Sequence, residues 1–362
     1  MQIRRVLALC VALTVATSAA PSFAQQIKQN DKQPKRSKQE QADIETLVKT
    51  VDAVSSGQQP APSDVPVTWQ ANDFVKGQGG STYIPFTLQI DRSKLTKPGV
   101  ALYVRVVDKN AEAAAPAPAA APAGKDSKDK DKDKKGAPAP AVRYAWDNVH
   151  FLDVPQDGRV SRAMQLPAGE YEAFIAVKER STDEKNAPMP KVGVLRHALT
   201  VPDFTKPELQ TSSIILAKAV EPQQTAVKPE EQQDNPYAFG PMKIVPSPDG
   251  KFSKMSELNV VFWIYGAADA QGGKPDVTVD YNFYQKQGAG EKYFNKTAPQ
   301  VLNATTLPPE FSAAAGHQLP GSLVVPLASF PAGDYRLEIK VTDKAALNKT
   351  VTQNVNFTVT EG

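Results

Sequence analysis

Leu166-Pro-Ala-Gly-Glu-Tyr171 and Phe330-Pro-Ala-Gly-Asp-Tyr335 are one short phrase written twice. Each opens a run in which every second residue is apolar: Tyr171, Ala173, Ile175, Val177 in one, and Tyr335, Leu337, Ile339, Val341 in the other. A period of two with one apolar face is the pattern of a half-buried antiparallel strand. The proline suits the second position of a type I turn and the glycine the fourth. Each phrase therefore reads as a tight turn that delivers a tyrosine to the head of a strand.

Working outward, the likeness continues. Both strands precede a final one, ending at Val201 and at Val359. Upstream, Lys97-Pro98 opens Val100 to Val107, and Lys274-Pro275 opens Val277 to Tyr284. Arg143-Tyr144 matches Lys292-Tyr293, and Ile84 to Ile90 matches Val260 to Tyr265. The same order of short strands occurs twice, which predicts an all-β chain of two tandem antiparallel β-sandwich modules. The first spans 64–204; the second, with its connector, spans 205–362. A strand expected at Leu209 to Val220 belongs to the second module or bridges both. The match also explains 111–141, an Ala/Pro run split by alternating Lys and Asp, where the second copy has only Gln285 to Glu291. It reads as an insertion at a hairpin tip within the first module, since loop closure entropy grows slowly with length.

The leading residues have another character. Arg4 and Arg5, the short apolar run Val6 to Val15 and Ser22-Phe23-Ala24 form the pattern of a secretory signal over 1–24. That apolar run is too short to span a bilayer. Cys10 is the one cysteine and lies in this leader, so the rest of the chain has no disulfide or thiolate chemistry. Residues 25–63 read as a disordered, Gln- and Lys-rich segment with a short amphipathic helix at about 42–54, where Ile44, Leu47, Val48, Val51 and Val54 follow helical spacing. That helix either docks on the first module or binds a partner.

Tyr171 and Tyr335 resemble the tyrosine corner of immunoglobulin-like and fibronectin type III domains. That resemblance implies a structural role, with the hydroxyl bonded to nearby backbone. Ala173 and Leu337 stand where an antibody domain has its cysteine. The stretches Thr211-Ser-Ser-Ile-Ile-Leu-Ala217, Val245-Pro-Ser-Pro-Asp-Gly-Lys-Phe252, Val260-Val-Phe-Trp-Ile-Tyr265 and Phe330-Pro-Ala-Gly-Asp-Tyr335 resemble the β-sandwich region of bacterial secreted GWxTD-domain and VWFA-related proteins. Neither a Gly-Trp-x-Thr-Asp sequence nor an Asp-x-Ser-x-Ser motif occurs, so the resemblance implies a fold and an exported setting but no activity.

The chain carries few residues in a catalytic or metal-binding pattern. His150, His197 and His317 are far apart and belong to no zinc spacing, and no EF-hand pattern or Gly-x-Ser-x-Gly elbow is present. Catalytic, cofactor and metal sites are all expected to be absent. The net charge is +3, and removing Arg4 and Arg5 leaves 40 basic against 39 acidic residues. Nucleic acid, which selects clustered Lys and Arg, is not an expected partner.

One surface stands out. In Glu257 to Tyr265, Leu258, Val260, Phe262 and Ile264 form a core face, and Val261, Trp263 and Tyr265 lie opposite. The matching outward positions of the first copy are Pro85, Thr87 and Gln89. A bulky outward row marks an interface, covered either by the chain's own connector or first module, or by an external partner. The expected function is a non-enzymatic, exported protein of the bacterial envelope, periplasmic or extracellular, that binds another envelope or secreted protein or serves assembly. The alternatives are a carbohydrate-binding module stacking glycan on Tyr144, Trp146 or Trp263, and an accessory subunit of a secreted hydrolase system.

Overall fold

The computed structural model describes residues 36–110, 144–181, 189–270 and 273–361. The signal-like leader and the whole of 111–141 lie outside them. The chain is an all-β sandwich protein with one short N-terminal helix.

The helix α1 runs Lys38–Ser55, starting four residues before the expected bound. A capping box moves it: Glu40 N–H donates to Ser37 Oγ at 3.1 Å, and Ser37 N–H donates to the Glu40 carboxylate at 2.9 Å. The strands of the first half are β1 (Val67–Asn72), β2 (Val75–Lys76), β3 (Thr82–Ile90), β4 (Gly99–Asp108), β5 (Trp146–Asp153), β6 (Arg159–Leu166), β7 (Gly169–Glu179) and β8 (Val192–Val201). One sheet places β1, β2 and β6 against β3; the other has the order β5-β4-β7-β8. Their inner faces meet in a core containing Ile84, Phe86, Leu88, Val104, Val106, Ile175 and Val177. Strands β4 and β5 are antiparallel from Gly99↔Asp153 to Val106↔Trp146, so 111–141 joins two strands of one hairpin.

The second half comprises β9 (Gln210–Thr211), β10 (Ile215–Pro222), β11 (Ala238–Phe239), β12 (Met242–Pro246), β13 (Lys251–Ser253), β14 (Glu257–Tyr265), β15 (Val277–Gln287), β16 (Gly290–Lys296), β17 (Gln300–Leu302), β18 (Leu319–Pro326), β19 (Gly333–Asp343) and β20 (Lys349–Thr360). One sheet has the order β11-β12-β10-β14-β18 with β9 also on β14, and the other has β13-β20-β19-β15-β16 with β17 also on β15. The expected strand 209–220 is therefore two pieces, both paired to β14. The pairings β3–β6, β4–β5, β4–β7 and β7–β8 have counterparts in β14–β18, β15–β16, β15–β19 and β19–β20.

The second core closes tightly at one point. A Cβ on Gly321 would stand 2.1 Å from Cζ of Phe262, its partner across the β14–β18 ladder. Gly321→Ala forces that ring out of place and is expected to cost about 1–3 kcal/mol in urea denaturation, as overpacking does.

Two outer sheet faces are apolar, and the chain covers both itself. Helix α1 lays Leu47, Val51 and Val54 on Ala101, Tyr103, Phe174 and Ala176, on the outside of the β4–β7 pair. Ile44 and Val48, also expected on the apolar face, are only half-buried. The helix is pinned at two depths by ion pairs, Asp43 with Lys178 and Asp52 with Arg105. The corresponding outer positions of the second half, Asn282, Arg336, Glu338 and Lys340, are polar and carry no helix.

Candidate interaction sites

Strand β14 carries the row singled out in the sequence. Val261, Trp263 and Tyr265 are buried, with Trp263 only 2% exposed. The row is an interface, but an internal one, and it offers no open surface to a partner. It packs with Phe74, Val75 and Phe204 of the first module, and with Ile215, Ala217, Tyr237, Phe239 and Ile244 of the segment that follows. The Phe239 ring lies 4.8 Å from that of Trp263, and Phe204 lies 5.0 Å from Tyr265. Pro85 and Thr87, the polar counterparts on β3, are buried as well.

Backbone bonding locks this junction. The Tyr265 hydroxyl accepts from the Lys76 amide at 3.0 Å. Ser213 Oγ accepts from the Phe74 amide at 2.9 Å, and the Ser213 amide donates back to the Phe74 carbonyl at 2.9 Å. Ser212 Oγ accepts from the Trp263 amide, also at 2.9 Å. Ser212 and Ser213 thus break the strand between β9 and β10 so that one bonds each sandwich.

A polar layer surrounds the apolar one. Tyr237 donates to Asp73 at 2.9 Å, and Tyr83 donates to the Pro236 carbonyl at 2.9 Å. Arg159 of β6 reaches Asp249 of the second half at 2.8 Å. Arg162 Nε lies 3.3 Å and His150 Nδ1 3.8 Å from one oxygen of Asp234. Burial pushes the Asp73 carboxyl up to about 6, against the downward pull of the Tyr237 hydrogen bond. Burial, helped by the Arg162 charge, pushes His150 down to about 4.

These two groups act oppositely on stability. Asp73 binds its proton more tightly when folded, so its contribution is present at low pH and is lost as pH rises from about 4 to about 6. His150 binds its proton less tightly when folded, so its contribution is lost as pH falls from about 6.5 to about 4. Asp73→Asn keeps an acceptor for Tyr237 and removes the first limb. The variant is expected to gain about 1–2 kcal/mol relative to wild type between about pH 4 and pH 7, read from urea midpoints across that range.

The two tyrosines singled out in the sequence stand in matching geometry. Tyr171 donates to the Pro167 carbonyl at 3.0 Å, and Tyr335 donates to the Pro331 carbonyl at 2.7 Å. Each hydroxyl closes its own Pro-Ala-Gly turn.

Of the three aromatics considered as a glycan platform, Trp263 is closed off and Tyr144 and Trp146 are half-buried. Trp263 is buried, Arg105 stacks over Tyr144 at 4.0 Å, and Trp146 packs against the first core. Of the histidines, His197 stacks on Trp69 at 4.3 Å and His317 Nδ1 accepts from the Ser312 amide at 3.1 Å. Among the described residues, no group of three or more His, Cys, Asp or Glu could hold a metal ion. No helix among them is long and apolar enough to cross a membrane.

Comparison with known proteins adds little to this geometry. No family model and no curated protein matches the chain. Among solved structures it is similar to a DUF4785 family protein from Legionella pneumophila, at 8% identity over 82% of this chain and 56% of that one, with a TM-score of 0.24. It is similar also to trypsin-activated alpha-2-macroglobulin from Escherichia coli, at 11% identity over 83% of this chain and 17% of that one, with a TM-score of 0.21. The chain thus spans little more than half the length of the first structure and less than a fifth of the second.

Sequence reasoning missed Asp73, Asp43 and Lys178. Each is a charged residue that looks solvated in the sequence and is drawn inward by a partner far along the chain. Lys178 alone carried a signal, since it lies beside Val177 at the end of an apolar run.

Proposed function

We propose that this chain is a non-catalytic protein of the bacterial envelope, exported by its first 24 residues, that acts as a rigid protein-binding or assembly element. We read its two sandwiches as copies of one unit, a reading supported by the four matching strand pairings. The observation that carries the proposal is the sealed Trp263 junction, which joins both sandwiches through an apolar layer and a reciprocal pair of hydrogen bonds between Phe74 and Ser213. A body of that kind suits holding partners at a fixed spacing. The resemblance to the sandwich region of secreted GWxTD-domain and VWFA-related proteins fits the same setting.

The edge strands offer the contact. Among the described residues, β5, β16 and β18 pair on one side only. An open strand edge can accept a partner strand through main-chain bonds, with side-chain pockets giving specificity. Val324 on β18 is 49% exposed, an apolar side chain on such an edge. The test places a photoreactive residue at Val324 in the full chain and irradiates living cells. The proposal expects the chain in the envelope fraction, with one discrete cross-linked adduct. A chain retained in the cytoplasm, or one that purifies with substrate turnover and no adduct, overturns it.

A further inference from the structure

The hairpin that joins β19 to β20 ends in a turn that its sequence does not suit. Leu347 and Asn348 are the two central residues, both left-handed at φ 53° and 58°, and the Lys349 amide closes the turn on the Ala346 carbonyl at 3.0 Å. Turns of this hand favour Asn and Gly, because a bulky side chain crowds the backbone there, so the leucine is strained. It buries nothing in return: Leu347 is 97% exposed. The base of the turn is held firmly. The Asp343 carboxylate is fully buried and accepts from the amides of Ala268, Ala345 and Ala346 at 2.7, 3.0 and 3.2 Å. The product is an apolar knob on a fixed stalk. Exposed Lys344 and Lys349 flank it, and Lys349 reaches an acid, Glu208, only at 3.9 Å.

A cavity of about 410 Å³ opens on the first sandwich, where Ile90 and Asp91 run between Pro66 and the Asp157–Gly158 turn. The Asp91 amide donates to the Pro66 carbonyl and the Ile90 amide to the Gly158 carbonyl, each at 2.9 Å. Thr68 also lines the cavity and is exposed. Two carboxylates stand at it, Asp91 and the exposed Asp157. The Ser93 hydroxyl donates to Asp91 at 2.6 Å and holds its carboxyl below the usual carboxylate range, so it is charged at neutral pH. Arg92, the one cation among the lining residues, donates to the Leu95 carbonyl at 3.4 Å.

Knob and cavity lie at opposite ends of β20. That strand runs twelve residues away from the knob, about 36 Å at roughly 3.3 Å per residue. At its far end the Thr358 amide donates to the Gly250 carbonyl at 2.8 Å, and the adjacent Asp249 meets Arg159, next to Gly158 of the cavity, at 2.8 Å. At that separation a chain does not reach its own cavity, but its knob is free to enter that of another copy, lysines toward carboxylates.

We propose that copies of this chain associate head to tail, the Leu347 turn of one entering the Ile90–Asp91 cavity of the next, with Lys344 and Lys349 set against Asp91 and Asp157. The contact is heterologous, so a dimer keeps one free knob and one free cavity and can extend. It is separate from the β18 edge, and its failure leaves the reading of that edge untouched.

A single knob makes a small interface and weak association. Sedimentation velocity of the full chain, from about 1 µM to about 500 µM, should give a coefficient that rises with concentration, and rises less in about 0.5 M salt. Leu347→Asp should weaken association by about tenfold or more. Aspartate tolerates the left-handed region better than leucine, so this variant should melt no lower than the wild type, which separates loss of contact from loss of fold. Thr68→Arg fills the cavity, repels the lysines and should weaken association as much. Each variant keeps the end that the other has lost, so a mixture of the two should form dimers and nothing larger. A wild type that stays monomeric throughout overturns the proposal, as does a Leu347→Asp chain that associates like the wild type. So does a monomeric chain that instead pellets with phosphatidylcholine–phosphatidylglycerol vesicles through Leu347.

Discussion

Trp263→Ala is expected to lower the stability of the whole chain by about 3–5 kcal/mol, the range for removing a buried aromatic from a packed core. The indole is 2% exposed and lies among Phe239, Tyr265, Phe74 and Val75, so nothing small can fill the space it leaves. The loss should fall on the junction before it falls on either sandwich. Both inner cores are built from other faces, the second from Leu258, Val260, Phe262 and Ile264 on the opposite side of the same strand. Differential scanning calorimetry should therefore show one transition for the wild type and a broadened or split one for the variant. Trp263→Phe keeps much of the packing and should cost about half as much. A Trp263→Ala chain that melts like the wild type would mean that the ring is not covered.

Asp43→Ala is the second large effect. It leaves the Lys178 ammonium, whose side chain is 5% exposed, without a carboxylate beneath the helix. It also strips the Ser181 hydroxyl and amide of the acceptors they reach at 2.6 and 3.1 Å. Removing one partner of a buried pair costs about 3–5 kcal/mol, because the other charge stays desolvated. The cost should appear as release of α1. Hydrogen exchange over 38–55 and over the β4 and β7 amides beneath it should rise together, with the second sandwich unaffected. The double change Asp43→Leu with Lys178→Met removes both charges and should restore most of the loss.

The fold was legible because its signal is local. The alternation in β3, β7 and β19 and the paired Pro-Ala-Gly phrases name strands and turns without knowledge of anything distant. The outer row of β14 was legible as an interface for the same reason. What covers it was not. Val75 lies in a two-residue strand with Phe74 just before it, and Phe239 lies in another, each too short to leave a periodic trace. The helix start was misplaced because Ser37 and Glu40 fix it through a cap, outside the apolar stripe. Asp43 was invisible as a core residue because its burial depends on a lysine 135 positions away.

The central claim is that the aromatic row of β14 is sealed inside one body. Hydroxyl-radical footprinting of the native full chain, read by mass spectrometry against the same chain in urea, tests it most directly. Trp263 should be protected by about tenfold or more in the native chain, while the half-exposed Tyr293 should react nearly as fast in both. Native oxidation of Trp263 at the rate seen in urea would contradict the account and return that row to the surface.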